Sequence, residues 1–169
     1  SKILDQEIPN VSFIDASSYI KTDSNFGQDN VDQERTIPLI QALNYTHADK
    51  LLFVTGFIGS NDAGRVTTLG RGGSDYTAAI FGAALDAERI EIWTDVDGML
   101  TADPRIVSKA FPLSTLSYTE AMELSYFGAK VIYPPTMLPA FTKKIPIVIR
   151  NTFNPDFPGT VIQFESEKS

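Results

Sequence analysis

The run TLGRGGSDYTAA, residues 68–79, constrains this chain more than any other segment, because three glycines, an arginine, a hydroxyl and a carboxylate arrive together at the start of a helix. Gly70, Gly72 and Gly73 are free to take positive φ and to let a ligand approach the main chain. Ser74 or Asp75 is placed to cap the helix that follows, whose first N–H groups favour negative charge. Arg71 adds a planar cationic fork suited to a carboxylate or a phosphate. A tight turn closed by a helix cap would account for the glycines alone. It would not account for an arginine between them, nor for their place after a strand-like apolar run, where α/β proteins put their ligands. The segment reads as an anion site.

Familiar phosphate motifs do not explain it. The chain has no GxxxxGK[ST] run, and Asp75 stands where a dinucleotide fingerprint needs its third glycine. The HRD and DFG signatures of protein kinases are missing as well.

Composition narrows the class. With 169 residues, 43% of them hydrophobic, the chain is long enough for one sizeable core, so a single domain over residues 1–169 is expected. A net charge of −7 argues against a nucleic-acid surface, which is normally basic, while a nucleotide site depends on local donors and stays open. Without cysteine there is no disulfide framework, no thiolate zinc site and no cysteine nucleophile. The single histidine, His47, lies in a polar stretch and reads as a surface residue, so no histidine metal site is expected. No apolar run reaches the roughly 20 residues of a membrane span, and SKILDQEIPN lacks the apolar centre of a signal peptide. The expectation is a soluble, cytoplasmic protein that meets neither membrane nor nucleic acid.

Short apolar strands alternate with helix-like segments, which predicts an α/β chain with a mainly parallel sheet covered by helices. Residues 11–15 (VSFID) read as a first strand, and residues 32–45 as an amphipathic helix with Ile37, Leu39, Ile40 and Leu43 inward. Residues 51–57 (LLFVTGF) read as a continuous strand covered on both faces, feeding the glycine turn. A small-residue helix over 74–85 and a strand over 89–94 complete a strand–helix–strand unit. Residues 95–105 carry Asp-Gly and Asp-Pro punctuation and form a loop. Ser117 and Glu120 have capping-box spacing, which starts a helix running to about Phe127. A proline-bracketed helix over 136–142 and strands over 145–151 and 160–164 close the chain.

Further candidates lie beyond the glycine turn. In WTDVDG, Thr94, Asp95 and Asp97 follow a strand's end, where aspartates bind ribose hydroxyls, hold Mg²⁺ through water or simply begin a turn. Arg105 is a loop cation that either meets a phosphate or stays solvated. Lys130, in FGAKV, either complements the preceding helix's dipole or binds a phosphate. Glycines, arginine, lysine and carboxylates without a histidine or cysteine mechanism are the inventory of phosphoryl transfer by positioning and charge neutralisation.

Three stretches, VTGFIGSNDAGRVTTLGRGGSDYTAA, EIWTDVDGMLTADPR and SYTEAMELSYFGAKVIYPPT, together resemble the aspartokinase family. The third, with NTFNPDFPGTVI after it, is most similar to the kinase portion of bifunctional aspartokinase and homoserine dehydrogenase enzymes. The resemblance covers residues 51–162 and, more faintly, DASSYIKTD. It implies the amino-acid kinase (carbamate kinase-like) fold, an αβα sandwich, here lacking its N-terminal part. It also implies transfer of the γ-phosphoryl of ATP, with Mg²⁺, to the side-chain carboxylate of L-aspartate, on the route to lysine, threonine and methionine. By the same resemblance Arg71 and the backbone of Gly72, Gly73 and Ser74 hold aspartate, and Asp75 orients the lysines around the transferring group. Thr94 and Asp95 line the nucleotide site, Arg105 reaches the phosphates, and Lys130 with Val131 contacts ATP. A homo-oligomer is implied for the full-length protein.

The sequence departs from the family at several points. The family's opening strand with its lysine-bearing glycine turn, and a later glycine-glutamate motif, have no counterpart here. Leu100 stands where many members carry an aromatic residue, and Tyr133 where a histidine is common. The expectation is therefore a chain that holds ligands without phosphorylating aspartate by itself. Other readings are an amino-acid kinase for glutamate, acetylglutamate or a nucleoside monophosphate, and a nucleotide-binding or assembly module that does no chemistry.

Overall fold

A computed structural model describes residues 10–24, 30–47, 49–103, 105–127 and 131–164. The chain divides into two compact units, Ser1–Leu85 and Asp86–Ser169.

In the first unit, strand β1 (Val11–Ile14) pairs in parallel with β2 (Leu51–Val54), with Val11 opposite Leu51 and Ile14 opposite Val54. A parallel pair needs a crossover, and helix α1 (Gln33–Thr46) supplies it. Asp32 starts α1 by accepting the Arg35 N–H at 3.1 Å. Ile40 and Leu43 are buried as expected and Ile37 packs on the same core, but Leu39 is 38% exposed. Leu39 falls at the edge of a face whose centre is set by residues 36, 40 and 43. Thr36 takes the central place because its Oγ1 accepts the Lys21 N–H at 2.9 Å, which makes a polar residue acceptable at 0% exposure.

The apolar run 51–57 is not one strand. It stops after Val54, Phe57 turns to φ +76, and β3 (Ile58–Ser60) forms an antiparallel hairpin with β4 (Val66–Thr68). Gly56 lies at that break, and a glycine inside a strand pattern weakens it. Leu51 is 51% exposed, so cover on both faces does not extend over the run. Helix α2 (Gly73–Ala84) then places Ile80, Phe81 and Ala84 on a core shared with Ile14, Ile20, Ile40 and Leu43. Each fully buried Ile or Leu is worth about 1.5–3 kcal/mol, which fixes α2 against the sheet pair.

The second unit holds a four-stranded sheet of order β5-β7-β8-β6. Here β5 (Ile90–Thr94) runs parallel to β7 (Ile147–Asn151), β6 (Thr115–Ser117) parallel to β8 (Thr160–Gln163), and β7 antiparallel to β8. The expected strand–helix–strand segment is thus divided between the two units, with β5 opening the second. Helix α3 (Tyr118–Phe127) begins with the anticipated capping box. Ser117 Oγ accepts the Glu120 N–H at 3.1 Å, and Glu120 Oε2 accepts the Ser117 N–H at 2.7 Å. These donors hold the Glu120 carboxyl below the usual carboxylate value. A 3-10 turn (Pro134–Met137) leads into helix α4 (Leu138–Thr142). Buried Tyr118 donates its hydroxyl to the Ile145 carbonyl at 2.5 Å and sets its ring edge-on to Phe141 at 5.1 Å. Across the described residues three of the five strand pairings are parallel, so the mainly parallel α/β expectation holds.

Candidate active site

In the first unit the site is built on the turn between β4 and α2. The Leu69 N–H donates to the Phe57 carbonyl at 2.9 Å, and Gly70 and Gly72 follow at φ +71 and +70. Gly72 is the N-cap of α2, so no side chain caps the helix. Capping by Ser74 or Asp75 is therefore corrected: α2 starts one residue sooner than expected, at Gly73, and both residues lie within its first turn. The consequence favours the anion reading. The Gly73 N–H returns to the Gly70 carbonyl at 3.1 Å, and the Ser74 and Asp75 N–H groups that a capping side chain would satisfy are left for water or a ligand, at the positive end of the helix dipole.

Gly73 is also corrected, because it does not take positive φ. It is glycine for lack of room: a Cβ there would come 2.7 Å from Cδ2 of Phe57 and 3.1 Å from Cβ of Leu69. Arg71 and Ser74 are exposed and Asp75 is half-buried. Burial raises the Asp75 carboxyl above its ordinary value, as expected for a charge moved out of water. Beside this turn lies a cavity of about 400 Å³, with Gly56 and Ser74 on its wall and Leu52, Val54, Ala78 and Phe81 making it apolar. A charged group held at the helix start would thus have a low-dielectric wall beside it, where each donor counts for more.

In the second unit, Thr94 ends β5 and donates its hydroxyl to Asp95 Oδ1 at 3.2 Å, leaving the Asp95 carboxylate exposed. Asp97 has a different task. Its Oδ1 accepts from Asn151 Nδ2 at 2.8 Å and from Asn154 Nδ2 at 3.0 Å, which ties the loop after β5 to the end of β7. Arg105 is 85% exposed, and it is paired with its own loop: Nε donates to Asp103 Oδ1 at 3.0 Å and Nη2 to Oδ2 at 2.7 Å. A phosphate reaching Arg105 must share it with Asp103. Val131 is half-buried in the turn that follows α3, and Lys130 lies outside the described residues.

Sequence reasoning missed three groups that shape these sites. Asp103 carries a local signal, since its Oδ1 accepts the Arg105 N–H two residues on. Asn151 and Asn154 carry none. His47 is half-exposed and bonds through Nδ1 to the Thr46 hydroxyl at 2.7 Å, in keeping with a surface role. Among the described residues no group of three or more His, Cys, Asp or Glu side chains is placed to hold a metal, and no helix is long and apolar enough to cross a membrane.

A family model described as the amino acid kinase family matches residues 3–151. The chain belongs to the amino acid kinase family. Lysine-sensitive aspartokinase 3 of Escherichia coli is 39% identical over 171 residues, covering 98% of this chain and 37% of that protein. The bifunctional aspartokinase/homoserine dehydrogenase of Haemophilus influenzae is 46% identical over 152 residues, covering 90% of this chain and 18% of that protein. The crystal structure of E. coli aspartokinase III in complex with aspartate and ADP matches with a TM-score of 0.91 at 38% identity, over 98% of this chain and 37% of that one. This amino acid kinase chain therefore spans less than two-fifths of the length of each of these relatives.

Proposed function

We propose that this chain supplies the aspartate-holding and nucleotide-holding surfaces for ATP-dependent phosphorylation of the L-aspartate side chain. In that reaction a side-chain carboxylate oxygen attacks the γ-phosphorus of ATP, the bond to the β,γ-bridging oxygen breaks, and 4-phospho-L-aspartate and ADP result. Both reactants are anions, so the protein's work is to offset their repulsion and hold them in line. The observation that carries the reading is the uncapped start of α2 beside Arg71. It offers the main-chain donors of Gly72 and Ser74 and a guanidinium fork to a carboxylate, in a chain 38% identical to an aspartokinase III solved with aspartate and ADP.

On this reading Arg71 pairs with a carboxylate of aspartate while the main chain of Gly72, Gly73 and Ser74 faces the same anion, with the Gly73 N–H itself held by the Gly70 carbonyl at 3.1 Å. Asp75, half-buried behind them, orients cations around the transferring group. Thr94 and Asp95 receive the nucleotide at the end of β5, Arg105 exchanges Asp103 for a phosphate, and Lys130 with Val131 completes the nucleotide contacts. Mg²⁺ fits these residues as an ion carried by the phosphates and water, since Asp95 presents a single exposed carboxylate and Mg²⁺ takes one or two carboxylates in such sites. The same reading makes the protein cytoplasmic and the full-length enzyme a homo-oligomer on the route to lysine, threonine and methionine.

Calorimetric titration tests it. L-aspartate should bind in preference to L-glutamate and N-acetylglutamate, and Arg71→Ala should abolish that binding while sparing ADP with Mg²⁺. Asp95→Ala should do the reverse. If L-aspartate does not bind, or if both variants behave as wild type, the proposal fails.

A further inference from the structure

We propose that Thr77 is a positioning residue for the acceptor turn: its hydroxyl holds Phe57 in a strained conformation that fixes the main chain of residues 72–74, with the donors of Gly72 and Ser74. The inference rests on the aspartate reading above and concerns how that site keeps its shape.

Phe57 has φ +76, a conformation that a bulky residue keeps only where its surroundings over-determine it. The surroundings are explicit. Its N–H donates to Thr77 Oγ1 at 3.0 Å, its carbonyl accepts the Leu69 N–H at 2.9 Å, and its ring occupies the space that a side chain on residue 73 would need. Thr77 is 4% exposed, and its Oγ1 in turn donates to the Gly73 carbonyl at 2.8 Å. One hydroxyl therefore bridges the strained residue and the first residue of α2. The Leu69 bond grips the other arm of the turn, immediately before Gly70. Residues 70–73 are held at both ends by Phe57, and Phe57 is held by Thr77.

A threonine bonded to the carbonyl four residues back adds little to its own helix and can weaken it. The bond makes sense as support for a partner outside the helix. Leu, Val or Ala would fill this place in α2 with less disturbance, but none of them could accept the Phe57 N–H. Strain of this kind collects at functional sites, where the fold maintains a geometry that the chain alone would not choose.

The test uses wild type, Thr77→Val and Thr77→Ser, each first shown to be folded by circular dichroism. L-aspartate and ADP with Mg²⁺ are titrated into each, and the amide NMR signals of residues 72–74 are recorded without ligand. Thr77→Val should weaken L-aspartate about 10-fold or more, since it leaves the part-buried Phe57 N–H without its acceptor and loosens the donors. It should also shift the three amide signals and leave ADP affinity unchanged. Thr77→Ser, which keeps the hydroxyl, should restore both properties. Unchanged aspartate affinity in folded Thr77→Val, or a loss that serine does not restore, overturns the inference. Should Thr77→Val fail to fold, Phe57→Gly carries the same test, because glycine is free to leave this conformation and release the turn. Selective weakening of aspartate then supports the inference and unchanged affinity overturns it. If wild type itself does not bind L-aspartate, the aspartate reading falls, and the amide signals alone decide whether Thr77 positions the turn.

Discussion

Thr160 should be the polar residue whose loss the second unit tolerates least. Its side chain is fully buried, Oγ1 accepts the Met99 N–H at 2.8 Å and donates to the Leu113 carbonyl at 2.5 Å, and the Leu113 N–H returns to the Met99 carbonyl at 2.9 Å. These three bonds form a closed ring that ties the loop after Asp97 to the approach of β6 and to the first residue of β8. Valine has nearly the shape of threonine, so Thr160→Val removes the hydroxyl and no volume. The Met99 N–H then has no acceptor, and the Leu113 carbonyl loses a donor. A buried unsatisfied group costs about 1–3 kcal/mol, and a carbonyl with a second lone pair sits at the low end, so the pair should cost about 2–4 kcal/mol. That is a large share of the roughly 5–15 kcal/mol that holds a domain together. Water cannot take the hydroxyl's place, because Gly98 packs its main chain directly on it: φ there is +126, and a Cβ would come 2.4 Å from Thr160 Oγ1. The assay is urea unfolding followed by the fluorescence of Trp93, the chain's single tryptophan, which lies in β5 and so reports on this unit. Thr160→Ser keeps the hydroxyl and should lose much less. If Thr160→Val unfolds within about 0.5 kcal/mol of wild type, or no earlier than Thr160→Ser, the ring contributes nothing and the reasoning is wrong.

Other expectations concern charge. Asp97→Ala should lower the unfolding midpoint by freeing Asn151 and Asn154 while leaving the Thr94–Asp95 pair able to bind ADP; equal loss of nucleotide affinity and stability would contradict the division of labour between Asp95 and Asp97. Glu120 has its folded-state pKa depressed by the Ser117 donors, so its contribution is present above the unfolded-state value and disappears as pH falls through the folded one. Thermal midpoints measured across the acid range should show this slope in wild type, and Glu120→Gln should flatten it. Asp75 has the opposite sign: burial raises its folded-state pKa, so its effect on stability worsens as pH rises from the unfolded value through the folded one. Asp75→Asn should therefore unfold later than wild type at neutral pH and lose that advantage in acid; an Asn variant less stable than wild type at neutral pH would show that the carboxylate has a stabilising partner.

The parts of this molecule that were legible from sequence are those whose determinants lie within one turn of one another. The capping box is such a case: Ser117 and Glu120 exchange three hydrogen bonds across three residues, and the pattern names both partners. The glycine turn is another: the positive φ of Gly70 and Gly72 and the helix start directly after them follow from neighbouring residues. The hairpin over residues 58–68 was hidden because each of its strands has only three residues, and β6 escaped for the same reason. The commitment of Asp97 to the fold could not be read from the run itself. The two residues sit in one WTDVDG run with equal claims, and what separates them is a pair of asparagines 54 and 57 positions further on. Thr160 is the same problem seen from the other side, with its two partners 61 and 47 residues away. Tertiary contacts of this length decide which polar group is committed to the fold and which stays open to a ligand. A local motif can therefore place a site on a particular turn, but the assignment of roles within it rests on residues that no window around the motif contains.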